Sequence, residues 1–292
     1  MCAFTCYMGR ALCLFCICLS SGLVGCSDPV PVSSPPGYHL GSPQKFVMSE
    51  SLREISGIVT LRGNGDTLYA IEDEEGKLFY FHPGDGKPAY RKFGKRGDYE
   101  DVTILDNREF VVLRSDGSLF VFPLSLVGDG NMDNVEKYEN ILPAGEYEGL
   151  FGDDNGQLIA LCKNCPDDDQ RDEVSGYVLE RSPANSSAKP GPLTIAGHFK
   201  VDVSQLKQTS RKAKFHPSCI ARHPLTREWY IISSVNKILL VLDDHWKMKA
   251  SYPLEPALFR QPEGLAFDKR GNMFISNEGG DGNAHVLLFK YN

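Results

Sequence analysis

From residue 46 onward, short runs of Val, Ile, Leu, Phe and Tyr alternate with Gly, Asp and Asn, and almost no stretch spaces its apolar residues as a helix would. The pattern predicts many short antiparallel strands joined by tight turns. One unit recurs: a small or acidic residue, often followed by Gly, leads into an apolar strand. It reads Ile55-Ser56-Gly57-Ile58, Glu100-Asp101-Val102, Tyr147-Glu148-Gly149-Leu150, Pro217-Ser218-Cys219-Ile220 and Pro262-Glu263-Gly264-Leu265. Aligned on Ser56, Asp101, Glu148, Ser218 and Glu263, the unit returns about every 45 residues, with one longer interval. A turn and a second strand follow each time (67–71, 109–113, 157–161, 228–232, 272–275), and then a third (77–81, 118–122, 176–179, 237–241, 285–289).

Four strands per 40–50 residues, repeated, predict an all-β protein, a β-propeller of four-stranded blades. The motif count gives five blades, although six is common for such patterns. The long interval is accounted for by two polar insertions, Asn164 to Val174 and Ser182 to Pro192, read as loops within one blade. The last repeat lacks a fourth strand, and Gln44 to Met48 is placed to supply it. Such a closure by the N-terminal strand removes the exposed sheet edges of the ring.

The first 26 residues differ. Arg10 precedes an apolar run, Ala11 to Val24, too short to span a bilayer comfortably. It ends in Leu23-Val24-Gly25-Cys26, which resembles the lipobox of bacterial lipoproteins. Residues 1–25 are therefore expected to be a signal peptide, with Cys26 lipidated. Residues 26–43, rich in Pro and Ser, are expected to form a tether, and 44–292 the propeller domain. The expected location is the bacterial cell envelope, with the protein anchored to a membrane by its lipid. Of nine cysteines, Cys162, Cys165 and Cys219 fall in the folded part. Cys162-Lys-Asn-Cys165 lacks the further ligands of a zinc site and is read as a local disulfide in an oxidising compartment. Cys219 is read as a buried thiol. The formal net charge of -7 argues against a nucleic-acid surface.

The motifs Ile55-Ser-Gly-Ile58, Tyr99-Glu-Asp-Val102, Tyr147-Glu-Gly-Leu150, His216-Pro-Ser218 and Gln261-Pro-Glu-Gly-Leu265 occur in order, and in them the chain resembles the SdiA-regulated family of bacterial envelope proteins. The resemblance spans roughly residues 46–292 and implies a propeller at the envelope, with no settled activity. More distantly, Pro-Glu-Gly-Leu and Ile275-Ser-Asn-Glu278 are similar to calcium-dependent lactonase and esterase-like propellers.

In a propeller the first strand of each blade lines the central channel, so Ser56, Asp101, Glu148, Ser218 and Glu263 are expected to converge there, with Glu54, Glu100 and His216 nearby. Ends of second strands add Glu72, Asp73, Arg114, Lys163, Ser234, Asn277 and Glu278. Carboxylates converging on one axis repel each other and need compensation. One reading supplies Ca²⁺, bound by Asp101, Glu148, Glu263 and Asn277. The other supplies Arg114 and Lys163 as a salt-bridged plug. Two functions follow. The chain is a binding or scaffold lipoprotein for an envelope protein or small ligand, or it is a metal-dependent hydrolase of an ester, lactone or phosphoester. In the second, His216 is the candidate for proton transfer. The count of acids against basic neighbours favours the binder. There is no GxSxG elbow, P-loop, GxGxxG or HExxH.

Overall fold

The computed structural model describes residues 33–126, 132, 134–168, 172–182, 191–208 and 214–292. The expected signal peptide and Cys26 lie outside the described residues, as does most of the second insertion in the third blade.

After a short strand β1 (Gln44–Val47), the chain builds five four-stranded antiparallel sheets. The first blade is β2 (Ile55–Leu61), β3 (Asn64–Glu72), β4 (Lys77–Phe81) and β5 (Ala89–Lys92). The second is β6 (Tyr99–Leu105), β7 (Glu109–Arg114), β8 (Leu119–Pro123) and β9 (Glu136–Tyr138). The third is β10 (Glu146–Gly152), β11 (Gln157–Asn164), β12 (Glu173–Arg181) and β13 (Leu193–Asp202). The fourth is β14 (Cys219–Arg222), β15 (Trp229–Ser233), β16 (Ile238–Leu242) and β17 (Met248–Pro253). In the fifth, β18 (Pro262–Phe267), β19 (Met273–Asn277) and β20 (His285–Phe289) are joined by β1 as outer strand. The count is five, and β1 closes the ring, pairing Gln44 with Leu288 and Val47 with His285. The longer interval in the repeat reflects lengthened strands as well as insertions, since β12 has 9 residues and β13 has 10.

The core is five apolar layers, one between each pair of neighbouring blades. Alternation along a strand sends successive side chains to opposite faces, and in a blade both faces are covered. Thus Leu158 and Ala160 of β11 pack with Leu105, Val111 and Leu113 of the second blade. Ile159 and Leu161 of the same strand pack with Ile220, Trp229 and Ile231 of the fourth. Double burial explains why these strands read as unbroken apolar runs. The outer strands face solvent on one side; β17 alternates half-buried and exposed positions along its length. Cys219 is a free thiol buried between the fourth and fifth blades.

Residues 37–40 and the C-terminal residues are both fastened to that last layer. Tyr38 and Leu40, within the Pro/Ser-rich stretch, are buried there. The Tyr38 hydroxyl donates to the Gly271 carbonyl, and its ring packs against His223, Tyr230 and Tyr291. The Asn292 N–H donates to the Gly37 carbonyl at 3.0 Å. Composition marks this stretch as a tether, but one aromatic and one aliphatic side chain seat its C-terminal part on the propeller.

Candidate functional site

The innermost strands β2, β6, β10, β14 and β18 each touch those of the two adjacent blades and line the central channel. A local device repeats at the start of four of them. The ladder to the second strand skips between Ile55 and Ile58, Tyr99 and Asp101, Tyr147 and Gly149, and Pro262 and Gly264. A residue left over in such a bulge has no ladder partner, and its side chain is re-aimed. Ser56, Glu100, Glu148 and Glu263 sit in these bulges, and Ser218 directly precedes β14. The registers therefore make Glu100, not Asp101, the counterpart of Glu148 and Glu263.

Asp101 occupies the position taken by Gly57, Gly149 and Gly264 in other blades. It is buried, and its Oδ1 accepts from the Val102 N–H while Oδ2 accepts from the Leu150 N–H, each at 2.8 Å. In the preceding blade, a Cβ at Gly57 would overlap Asp101 Oδ1. The carboxylate is thus clamped across three blades with both oxygens occupied, and burial raises its pKa well above the usual range against those bonds.

The remaining acids form a mutually repelling group. Burial and the neighbouring Glu148 and Asp98 push Glu100 up to about 9. Burial, then Glu263, Glu54 and Asp73, push Glu278 to about 8. Burial raises Glu148 to about 7, although Lys163 pulls it down, and burial raises Glu263 against the opposing pull of Ser234 and Ser218. Asp73, raised to about 6 by burial and Glu72, keeps one carboxylate oxygen buried without a hydrogen-bond partner. Glu72 is turned elsewhere, accepting from the Glu74 and Glu75 N–H groups at 3.0 and 2.6 Å.

Two ammonium groups oppose these acids. Lys163 pairs directly with Glu148; burial works against its charge, but that carboxylate outweighs it and leaves the lysine pKa raised. Lys237 is lowered by burial, with Glu263 opposing, and it donates to the Arg260 carbonyl. No motif marks Lys237 in the sequence. Arg114 is directed away: it pairs with Asp116, bonds Ser118 at 3.2 Å and lies over the Phe120 ring. A plug made from Arg114 and Lys163 is therefore half present. Asn277 is fully buried at the end of β19, opposite Pro262, and neither of its amide atoms has a partner.

His216 forms part of the wall beside Lys163. Its N–H donates to Asn236 Oδ1 and its Nδ1 lies 3.1 Å from the Lys163 carbonyl oxygen, so the ring is tied to backbone. Cys162 and Cys165 are joined by a disulfide next to Tyr147. A Cβ at Gly145 would lie 2.6 Å from Cys165 Sγ, so a glycine is needed there for the bridge to pack beneath the mouth.

The raised carboxyls set a pH dependence with an unusual sign. A carboxyl whose folded pKa exceeds its unfolded value stabilises the fold at low pH, and that stabilisation is lost as pH rises through the folded value. In EDTA the melting temperature is expected to fall steadily between about pH 5 and 9, through the range of Asp73, Glu148, Glu278 and Glu100. Glu100→Gln with Glu278→Gln should flatten the slope, as followed by circular dichroism; an unchanged slope would refute the electrostatic account.

No family model matches the chain, and no curated protein does. Among solved structures it is similar to glutaminyl cyclase from Myxococcus xanthus, at 13% identity and TM-score 0.54, covering 85% of this chain and 94% of that one. It is also similar to a luciferin-regenerating enzyme, at 10% identity and TM-score 0.50, covering 85% of this chain and 95% of that one. At such identities the likeness shows the β-propeller fold alone.

Proposed function

We propose that the protein is a binding propeller of the cell envelope, held to the membrane through a lipid on Cys26, whose channel mouth takes a divalent cation of the calcium class. The observation that carries the cation reading is the imbalance at the mouth: Glu100, Glu148, Glu263, Glu278 and Asp73 carry raised pKa values there, opposed by Lys163 and Lys237. The buried, unpartnered amide of Asn277 is consistent with an oxygen ligand beside them. Calcium is bound by six to eight oxygens in flexible geometry, which carboxylates, an amide and water can supply. Such an ion would offset the repulsion that otherwise protonates these acids. Asp101 is not among the ligands, because both its oxygens are taken by backbone donors. The anchor and envelope location rest on the Leu23-Val24-Gly25-Cys26 motif. Binding is favoured over hydrolysis because the His216 ring is engaged by a carbonyl and Glu148 by an ammonium.

Calorimetric titration of the full chain with CaCl₂ tests the cation. Saturable binding is expected, tightening from pH 6 to pH 8 and releasing protons, because the ligands must lose theirs. Glu148→Gln with Glu263→Gln should abolish it. Absence of binding by the unmodified protein at pH 8 would overturn the reading.

A further inference from the structure

Opposite the carboxylates, the far halves of all five innermost strands enclose a second cavity of about 690 Å³. Its walls are largely aliphatic, with Ile58, Ile104, Leu150, Ile220 and Leu265 among them. Its rim is formed by the turns that follow these strands, and it carries Arg62, Arg222, Arg227 and Lys269. Among the described residues none of these four has a carboxylate within ion-pair distance. Four cations face three acids at this rim, and two of the acids are held in place by backbone donors of their own turns. Asp153 accepts from the Asn155 and Gln157 N–H groups at 2.9 and 2.8 Å. Asp268 accepts from those of Arg270 and Asn272, each at 2.9 Å. Asp154 is the remaining acid. Arg222 is half-buried, its Nε donates to the Arg227 carbonyl at 2.9 Å, and its guanidinium lies over the Trp229 ring. Burial, and then Arg227, lower its pKa, with Asp244 and Asp153 opposing.

Cavities of about 300–1,000 Å³ with apolar walls and a few polar groups are the usual form of small-ligand sites. Here the walls call for an aliphatic body and the rim for a negative charge. We infer that this end of the channel is a second binding site, separate from the carboxylate mouth, for a small anionic amphiphile with an aliphatic body and one carboxylate or phosphate head. The body lies against the innermost strands and the head meets Arg62, Arg222, Arg227 and Lys269. The inference does not rest on cation binding at the opposite end.

The protein contains two tryptophans, and Trp229 lies under Arg222 with its ring centroid 4.6 Å from that of Trp246, so intrinsic emission reports on the rim. The full chain is held in lipid nanodiscs, in metal-free buffer, and titrated with sodium dodecanoate; empty nanodiscs give the partition control. A saturable change in emission is expected, weakened by salt. Dodecanol should bind at least about tenfold more weakly, and Arg62→Gln with Lys269→Gln should weaken dodecanoate about tenfold. Both replaced residues are exposed, so the melting temperature of the free variant should be unchanged. Glu148→Gln with Glu263→Gln should leave dodecanoate binding intact, which separates this site from the mouth. A non-saturating response, equal affinity for dodecanol, or indifference to the double rim variant would each overturn the inference.

Discussion

Replacing Asp101 by Ala is expected to lower the melting temperature by about 10 °C without touching any residue proposed to hold a cation. The carboxylate accepts the N–H of Val102 in its own strand and that of Leu150 in the next blade, and both donors are buried. Removing it strands two backbone donors where water does not reach, at a cost of about 1–3 kcal/mol each. Asp101→Asn keeps the shape but offers one acceptor oxygen for two donors, and should lose roughly half as much. Calcium titration separates this role from ligation: the Asp101 variants should bind with unchanged affinity below their melting temperature, whereas Glu148→Gln with Glu263→Gln should not bind at all. Loss of calcium binding in the folded Asp101→Asn protein would return Asp101 to the ligand set.

A comparable loss is expected from Tyr38→Ala, although Tyr38 lies outside every blade. Its ring fills a gap among His223, Tyr230, Phe267 and Tyr291. Truncating so large a buried aromatic costs about 3–5 kcal/mol. Tyr38→Phe, which gives up only the hydrogen bond to Gly271, should cost about 1 kcal/mol. Hydrogen exchange locates the damage: protection should fall first in β1 and β20, the strands that close the ring, and last in the second and third blades. Uniform loss across all blades would show that the N-terminal segment supports the whole ring equally.

Fold and closure were legible because they depend on periodicity. Five repeats of a small or acidic residue before an apolar strand give five blades, and the missing fourth strand after Phe289 points to Gln44–Val47. The mouth was less so, by a single position. Glu100 and Asp101 are adjacent acids, and spacing alone cannot say which occupies the bulge and which the glycine-like slot facing the neighbouring blade. Only the ladder register separates them. Arg114 and Lys163 both follow a second strand, yet Asp116, two residues after Arg114, captures its guanidinium, while Lys163 has no such neighbour and reaches Glu148. The far cavity leaves no motif, because its walls are ordinary strand interiors and its cations are scattered over three turns.

The closing strand also sets the order in which the protein can be completed. Among the strands of the ring, β1 is synthesised first and its partner β20 last. Until His285–Phe289 emerges, β1 has no sheet to join, and the fifth blade's outer edge stays open until they meet. Blades one to four can assemble from near neighbours, so closure is the step with the greatest sequence separation and is expected to be the slowest. During that interval the molecule carries an unpaired β1 and an open outer edge on β20 of matching register, on either side of the ring's seam. Two such molecules could satisfy each other's edges as readily as their own, so the ring's seam is where crowded synthesis would yield exchanged dimers.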